Sequence, residues 1–270
     1  MSNQPATHER LAPYYQAARE YTVHCQELET LEQLVEQMHD QSEASVGLVE
    51  AIAGNHGVAV IAEHKRRSPS EGEIRPGSSV QWTVEQYQRG GARAVSVLTQ
   101  PVHFGGQIED LAEARAASSL PLLRKDFIDD PYQLYQAKAY GAAAVLLIAA
   151  GLEQAQLIDL QDEARGIGLD CLVEVHNEQE MYRALETSPS LVGINNRDLG
   201  TLRTDIATTR NLIELVPEGI PVVAESGYDV NNPDHIQELR DLRVDAVLMG
   251  TSLMREPDPA QALARWLTTD

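Results

Sequence analysis

The stretch Val58-Ala-Val-Ile-Ala-Glu-His-Lys-Arg-Arg-Ser-Pro-Ser70 opens with small and β-branched apolar residues, the composition of a strand buried on both faces, and closes on charge. Glu63 and Lys65 sit one pleat apart, on the same side of that strand. One such pair on its own reads as a solvated strand end. The pattern recurs along the chain, however, with apolar runs that end in Lys125, in Glu174, in Asn195 with Arg197, and in Glu225 with Ser226. Groups of this kind converging from separate strands point to one shared site. Glutamate and lysine together supply acid–base chemistry, and lysine can act either as a general acid or as a Schiff-base nucleophile. The eight histidines form no H-E-x-x-H or paired metal-ligand spacing, and no G-x-S-x-G elbow occurs, so no metal and no cofactor is expected. His64 points to the other face of its strand and is read as structural, whereas His103 lies within reach of the substrate.

The elements that must position these groups alternate regularly. After the strand from Val58, strands are predicted over residues 90–98, 120–123, 141–148, 169–173, 191–194, 220–224 and 244–249. Helix-compatible segments lie between them, at 83–89, 131–140, 153–165 and 232–239 among others. Alternation of strand and helix implies parallel strands, and eight such units imply an α/β fold, a single (β/α)8 TIM barrel. A doubly wound open sheet is the structural rival, but no G-x-G-x-x-G follows the first strand. Residues 1–55 are expected to form an N-terminal helical extension to a single domain over 1–270. Leu28, Leu31, Leu34, Val35 and Met38 fall at helical spacing on one face, and Ser45 is placed to cap a short helix through Leu48, Val49 and Ile52 that ends at Gly54. These helices are expected to cover one end of the core rather than carry chemistry.

In such a barrel the site is built at the C-terminal ends of the strands. Ser226-Gly227 after the seventh strand and Gly250-Thr251 after the eighth present backbone N–H groups suited to phosphate, and Gly250 precedes a short helical stretch. The only two phenylalanines, Phe104 and Phe127, each lie a few residues past a strand end, where they either line a pocket for a flat ring or pack a loop.

Composition bounds the partners. A net charge of −20 disfavours nucleic acid and anionic membrane surfaces, and no apolar run approaches a membrane span. Cys25 and Cys171 form no C-x-x-C, which with the lack of an apolar leader predicts a reducing, cytoplasmic setting. Of 21 basic residues only Lys65, Lys125 and Lys138 are lysines, so Lys65 and Lys125 have been kept where charge meets an apolar strand. The acidic, lysine-poor surface also predicts a salt-adapted protein, with an unfolding midpoint that rises in molar KCl.

Several motifs together resemble one family: Ile61-Ala-Glu-His-Lys-Arg-Arg-Ser-Pro-Ser70, Ser96-Val-Leu-Thr99, Leu122-Leu-Arg-Lys-Asp-Phe-Ile128, Ala144-Val-Leu-Leu-Ile148, Leu172-Val-Glu174, Gly193-Ile-Asn-Asn-Arg-Asp-Leu199, Val223-Ala-Glu-Ser-Gly227 and Met249-Gly-Thr-Ser-Leu-Met-Arg255. In type and order, over about residues 46–268, they resemble indole-3-glycerol phosphate synthase. The resemblance implies closure of 1-(2-carboxyphenylamino)-1-deoxyribulose 5-phosphate to an indole, with loss of carbon dioxide and water, in tryptophan biosynthesis. It implies Lys125 as general acid on the substrate ketone and Lys65 as the cation that holds the aromatic carboxylate. Glu63 then orients Lys65, Glu174 is the base for dehydration, and Asn195 and Glu225 bind sugar hydroxyls or align the lysines. Arg197 braces the site, and Ser68, Ser226, Gly227, Gly250 and Thr251 hold phosphate. Phe104, Phe127, Leu146, Leu199 and Leu202 wall the aromatic ring. The partner implied is a small phosphorylated molecule, with the protein a monomer or weak homo-oligomer.

The first 45 residues show no clear family opening, and His64, Gln107 and Tyr228 depart from the residues expected. Two alternatives belong to other classes. A phosphoribosylanthranilate isomerase-like barrel needs a cysteine at a strand end, and neither cysteine is so placed. A non-catalytic phosphate-ligand binding protein has no need of two retained lysines.

Overall fold

The computed structural model describes residues 7–40, 46–53, 57–69, 71–199 and 201–269. Ser45 and Gly54, expected to bound the third helix, lie outside these residues. Eight parallel strands close into a barrel in sequential order: β1 (Ala59–His64), β2 (Ala94–Leu98), β3 (Leu122–Lys125), β4 (Ala144–Ile148), β5 (Asp170–Val175), β6 (Leu191–Asn195), β7 (Val222–Glu225) and β8 (Ala246–Met249). A two-stranded ribbon, Arg67–Ser68 with Gly72–Glu73, follows β1. Strands rich in Val, Ile, Leu and Ala suit this architecture because one face fills the barrel and the other packs under helices.

Before the barrel come α1 (Thr7–Leu28), α2 (Leu31–Asp40) and α3 (Leu48–Ala53). Between strands run α4 (Val80–Gly90), α5 (Glu109–Ala117), α6 (Pro131–Ala139), α7 (Gln154–Gly166), α8 (Glu178–Leu185), α9 (Ala207–Ile213) and α10 (Pro233–Asp241), and after β8 come α11 (Thr251–Arg255) and α12 (Pro259–Leu267). Their ends follow local chemistry. Asp130 and Gln133 form a capping box at α6 with Pro131 in the first turn, and Asn232 caps α10 ahead of Pro233.

The strand starts differ from those the sequence suggested. Gly90 closes α4, and Gly91 is its left-handed cap at φ 94°, so both belong to the helix end and β2 begins only at Ala94. Gly141, at φ 91°, likewise turns the chain out of α6 before β4 starts at Ala144.

The N-terminal helices serve both ends of the barrel. α1 buries Leu11, Tyr15, Ala18, Thr22 and Cys25 along one stripe, and Tyr15 packs so closely on the turn after β4 that a Cβ at Gly151 would collide with its ring. α3 seals the opposite end with Leu48 and Ile52, and the Asp170 carboxylate at the start of β5 accepts a 3.0 Å hydrogen bond from the Val49 N–H. The apolar stripe expected from Leu28 to Met38 is broken: Leu34 is buried, but Leu28 and Leu31 are exposed, because α1 ends at Leu28 and the chain bends before α2.

Candidate active site

Cross-strand register explains why the charged residues share one face. Glu63 pairs with Ser96, Lys125 with Leu98, Glu174 with Gly193 and Ile148, and Glu225 with Asn195 and Leu248. Register partners point the same way, so these side chains crowd the barrel interior at its C-terminal rim. The crowding needs room. A Cβ at Gly193 would collide with the Glu225 carboxylate, and one at Gly250 with that of Glu63.

The rim opens into a cavity of about 460 Å³. Every candidate site residue singled out from the sequence lines it, from Glu63 and Lys65 on β1 to Gly250 and Thr251 after β8. His103 does not; it packs against Tyr14, ring centroids 4.6 Å apart. His64 faces the helical layer, buried with neither ring nitrogen hydrogen-bonded, and burial pushes its pKa down to about 4.

At the floor, Lys65 Nζ lies 2.7 Å from Glu63 Oε1. Lys125 Nζ lies 3.1 Å from Glu174 Oε2 and 3.1 Å from Glu225 Oε2. Burial opposes the charge on Lys125, but Glu174, Glu225 and Glu63 outweigh it and hold the ammonium well above the usual lysine range. The two glutamates around this one cation are driven apart. Burial also disfavours ionised Glu174, yet Lys125, His176 and Asn195 overcome that and keep it below the ordinary carboxylate range. Glu225, desolvated and beside the Glu174 charge, is pushed up to about 8 despite Lys125. At neutral pH the centre therefore holds an ammonium with a carboxylate and a carboxylic acid each 3.1 Å from it. That is a set able to give, accept and relay protons.

The walls differ in character. β3 and β7 face each other across the ring of eight strands. Behind β2 and β3 stand Phe104 and Phe127, with Phe127 stacked against Tyr14 of α1 at 5.0 Å between centroids and 17° between planes. Leu199 and Leu202 add apolar lining from the loop after β6, where Leu202 takes φ 58°. After β7, Ser226 and Gly227 are consecutive left-handed residues, φ 63° and 91°, and α11 begins at Thr251 directly after Gly250. The first-turn N–H groups of Thr251 and Ser252 have no intrahelical acceptor, and Ser68 lines the same cavity. This side fits an oxyanion.

Two contributors were missed from the sequence. Arg10, Leu11 and Tyr14 of α1 line the cavity, so that helix helps build the site as well as covering it. Nothing local in the sequence marks a helix that folds back over a site built far down the chain. His176 lies behind Glu174, with Nε2 3.2 Å from Glu174 Oε1. Here a signal did exist, since Glu174-Val-His176 repeats the one-pleat spacing of Glu63-His-Lys65.

Fold and site together define a (β/α)8 barrel with a lysine–carboxylate centre between an apolar wall and an oxyanion cradle. Comparisons give the particular family. The family model for indole-3-glycerol phosphate synthase matches residues 11–266. The indole-3-glycerol phosphate synthase of Kineococcus radiotolerans is 45% identical over 240 residues, 88% of this chain and 87% of that one, and that of Salinibacter ruber is 42% identical over 241 residues, 89% and 88%. The chain belongs to the indole-3-glycerol phosphate synthase family. The match begins at residue 11, so much of the opening that looked unlike the family lies inside it. Among solved structures, a thiamine phosphate pyrophosphorylase from Pyrococcus furiosus superposes with a TM-score of 0.58 at 16% identity, covering 78% of this chain and 94% of that one, which supports the barrel fold alone.

Proposed function

We infer that the protein converts 1-(2-carboxyphenylamino)-1-deoxyribulose 5-phosphate to indole-3-glycerol phosphate, a carboxy-lyase reaction of tryptophan biosynthesis. The observation that carries this reading is Lys125, held as an ammonium between Glu174 and Glu225, on the floor between the aromatic wall and the phosphate-compatible loops. Family membership supplies the reaction, and the geometry suggests the division of labour.

The phosphate is held by Ser226, Gly227, Gly250 and Thr251, with Ser68 closing the cradle. The aromatic ring lies against Phe104, Phe127, Leu146, Leu199 and Leu202, while Lys65, oriented by Glu63, pairs with its carboxylate. The ring carbon bearing that carboxylate attacks the ketone carbon, and Lys125 gives its proton to the carbonyl oxygen as it becomes a hydroxyl. The carboxylate leaves as carbon dioxide and its electron pair restores the ring. Glu174 then takes a proton from the methylene carbon while Lys65, released from the carboxylate, protonates the departing hydroxyl so that it leaves as water. The electron pair left behind makes the bond between the two carbons the double bond of the indole's five-membered ring. Asn195 and Glu225 hold the sugar hydroxyls, and Arg197 braces the loop after β6, where its N–H donates to Asn195 Oδ1 at 3.0 Å.

The order of steps suits the electrostatics. Lys125⁺ keeps Glu174 a weak base at first, and surrendering the Lys125 proton removes that restraint just when a base is needed. The direct test follows indole fluorescence with the carboxyphenylamino substrate in low and high KCl, without added metal. Fluorescence growth with one carbon dioxide per turnover is expected. Silence in both salts with phosphate-ligand binding intact would move the protein to the binding-protein class.

A further inference from the structure

Of the two cations paired with Glu174, Lys125 and His176, the second is given no role by the reaction as written above. His176 follows β5 directly, at the head of the loop leading into α8. Its side chain is only 6% exposed and does not line the cavity, so it touches no substrate. Nδ1 lies 2.9 Å from Glu180 Oε2, and the His176 backbone N–H donates to the same oxygen at 2.8 Å. The other oxygen of Glu180 accepts from Asn177 Nδ2 at 2.6 Å, and the Glu180 N–H donates back to Asn177 Oδ1 at 3.0 Å. The first turn of α8 thus fixes Glu180, and Glu180 fixes the imidazole.

The free end of that imidazole points at the site. Nε2 is fully buried and 3.2 Å from Glu174 Oε1, close enough for an ion pair though off the line of a good hydrogen bond. Glu174 uses its other oxygen for Lys125. The charged groups facing the ring are Glu174 from β5 and Glu180 from α8; Lys125 from β3 and Glu225 from β7 stand beyond Glu174. Burial opposes a charge on the imidazole, but the two glutamates outweigh it and push its pKa up to about 10, so the ring is cationic at neutral pH.

We propose that His176 is a positioning residue whose imidazolium, clamped by Glu180, anchors the far oxygen of Glu174 and keeps that carboxylate ionised after Lys125 has given up its proton. The need is specific to the sequence of steps. Lys125 is the main positive neighbour of Glu174, and once it is neutral a carboxylate beside Glu225 in a buried site would otherwise take up a proton. A second, permanent cation on the side away from the substrate leaves Glu174 charged, and free to turn its Lys125-facing oxygen to the substrate. This inference rests on Glu174 being the base.

The experiment compares His176→Gln, Glu174→Gln, the double variant and Glu180→Gln in steady-state turnover across pH. His176→Gln is expected to lower kcat about ten- to a hundredfold with KM changed less than threefold, the range for losing one charge-assisted contact. Because Glu174 must be ionised in the substrate complex to act, removing the neighbouring cation raises its pKa there, and the acidic limb of kcat should move up by about one pH unit or more. The double variant should be no slower than Glu174→Gln alone, since His176 acts only through that carboxylate. Glu180→Gln keeps the imidazole in place and should shift the limb in the same direction by less, which holds the question open to measurement if His176→Gln folds poorly. Wild-type kcat and an unmoved limb in His176→Gln, with Glu174→Gln inactive, would overturn the positioning role alone. Losses that add in the double variant would do the same. Full activity in Glu174→Gln would overturn both readings together.

Discussion

Strand β3 carries two charged clusters back to back, and they differ in a way that separates architecture from chemistry. On the outer face, Arg124 is 1% exposed and spends its guanidinium on Thr99 Oγ1 at 3.2 Å, the Gln133 carbonyl at 2.7 Å and Asp126 Oδ2 at 3.2 Å, while Thr99 Oγ1 donates to Asp126 Oδ2 at 2.6 Å. Each of its nitrogens has a partner, and the network ties β2, β3 and α6 together. One residue along, Lys125 turns inward and meets an excess of acid: two glutamates for one ammonium, with Glu225 Oε1 buried and unpartnered. Satisfied groups have nothing left to offer a ligand. The inner cluster keeps spare donors, spare acceptors and displaced pKa values, which is what acid–base work requires.

The comparison can be broken first at Lys125. Lys125→Met should leave the fold intact and lower kcat by about three to four orders of magnitude, near the upper end for loss of a general acid; wild-type turnover would remove its proton-transfer role. Arg124→Met should do the reverse. It should cost roughly 3–5 kcal/mol in denaturant unfolding by stranding Asp126 as a buried, unpaired charge, while the protein that remains folded turns over at near the normal rate. A large kcat loss without loss of stability would mean that the two faces of β3 are not separable.

Smaller effects sharpen the contrast within the inner cluster. Glu225 is a carboxylic acid at neutral pH, so Glu225→Gln should cost less than about tenfold in kcat at pH 7 and should erase any inflection in the pH–rate profile near pH 8. Tyr14→Ala should raise KM about fivefold with little change in kcat, because the stacked pair with Phe127 shapes only the ring's wall. At His64 the expected effect is on stability alone. Its folded pKa of about 4 lies below the ordinary 6.5, so the unfolded chain binds the extra proton and stability falls as pH drops through that window, by up to about 1.4 kcal/mol per pH unit. His64→Leu should flatten that acid loss in thermal melts between pH 6.5 and 4 while leaving stability near pH 8 little changed.

What the sequence made legible follows from period and composition. Apolar runs ending in Glu63, Lys125, Glu174 and Glu225 announced strands and their rim, because a buried parallel strand leaves no other place for charge. Gly90 and Gly141 were harder, since a glycine that ends a helix and one that starts a strand look alike until φ is known. Tyr14 and Arg10 were not legible, because their place depends on a helix that packs back over a site more than a hundred residues away in parts. His176 was legible but passed over. The pleat that paired Glu63 with Lys65 applies equally one strand end later, at Glu174.

Gly193 and Gly250 bring no functional group of their own to the proton-transfer steps, yet a Cβ at either would strike a carboxylate of the centre. In a library of all single substitutions they should therefore score as severely as the lysines, since even alanine must displace Glu225 or Glu63. A ranking of positions by mutational tolerance would then mark two absences of side chain as hot positions. Anyone reshaping this barrel for a different substrate inherits both as fixed points, and has more freedom along the apolar wall than in the empty space beneath it.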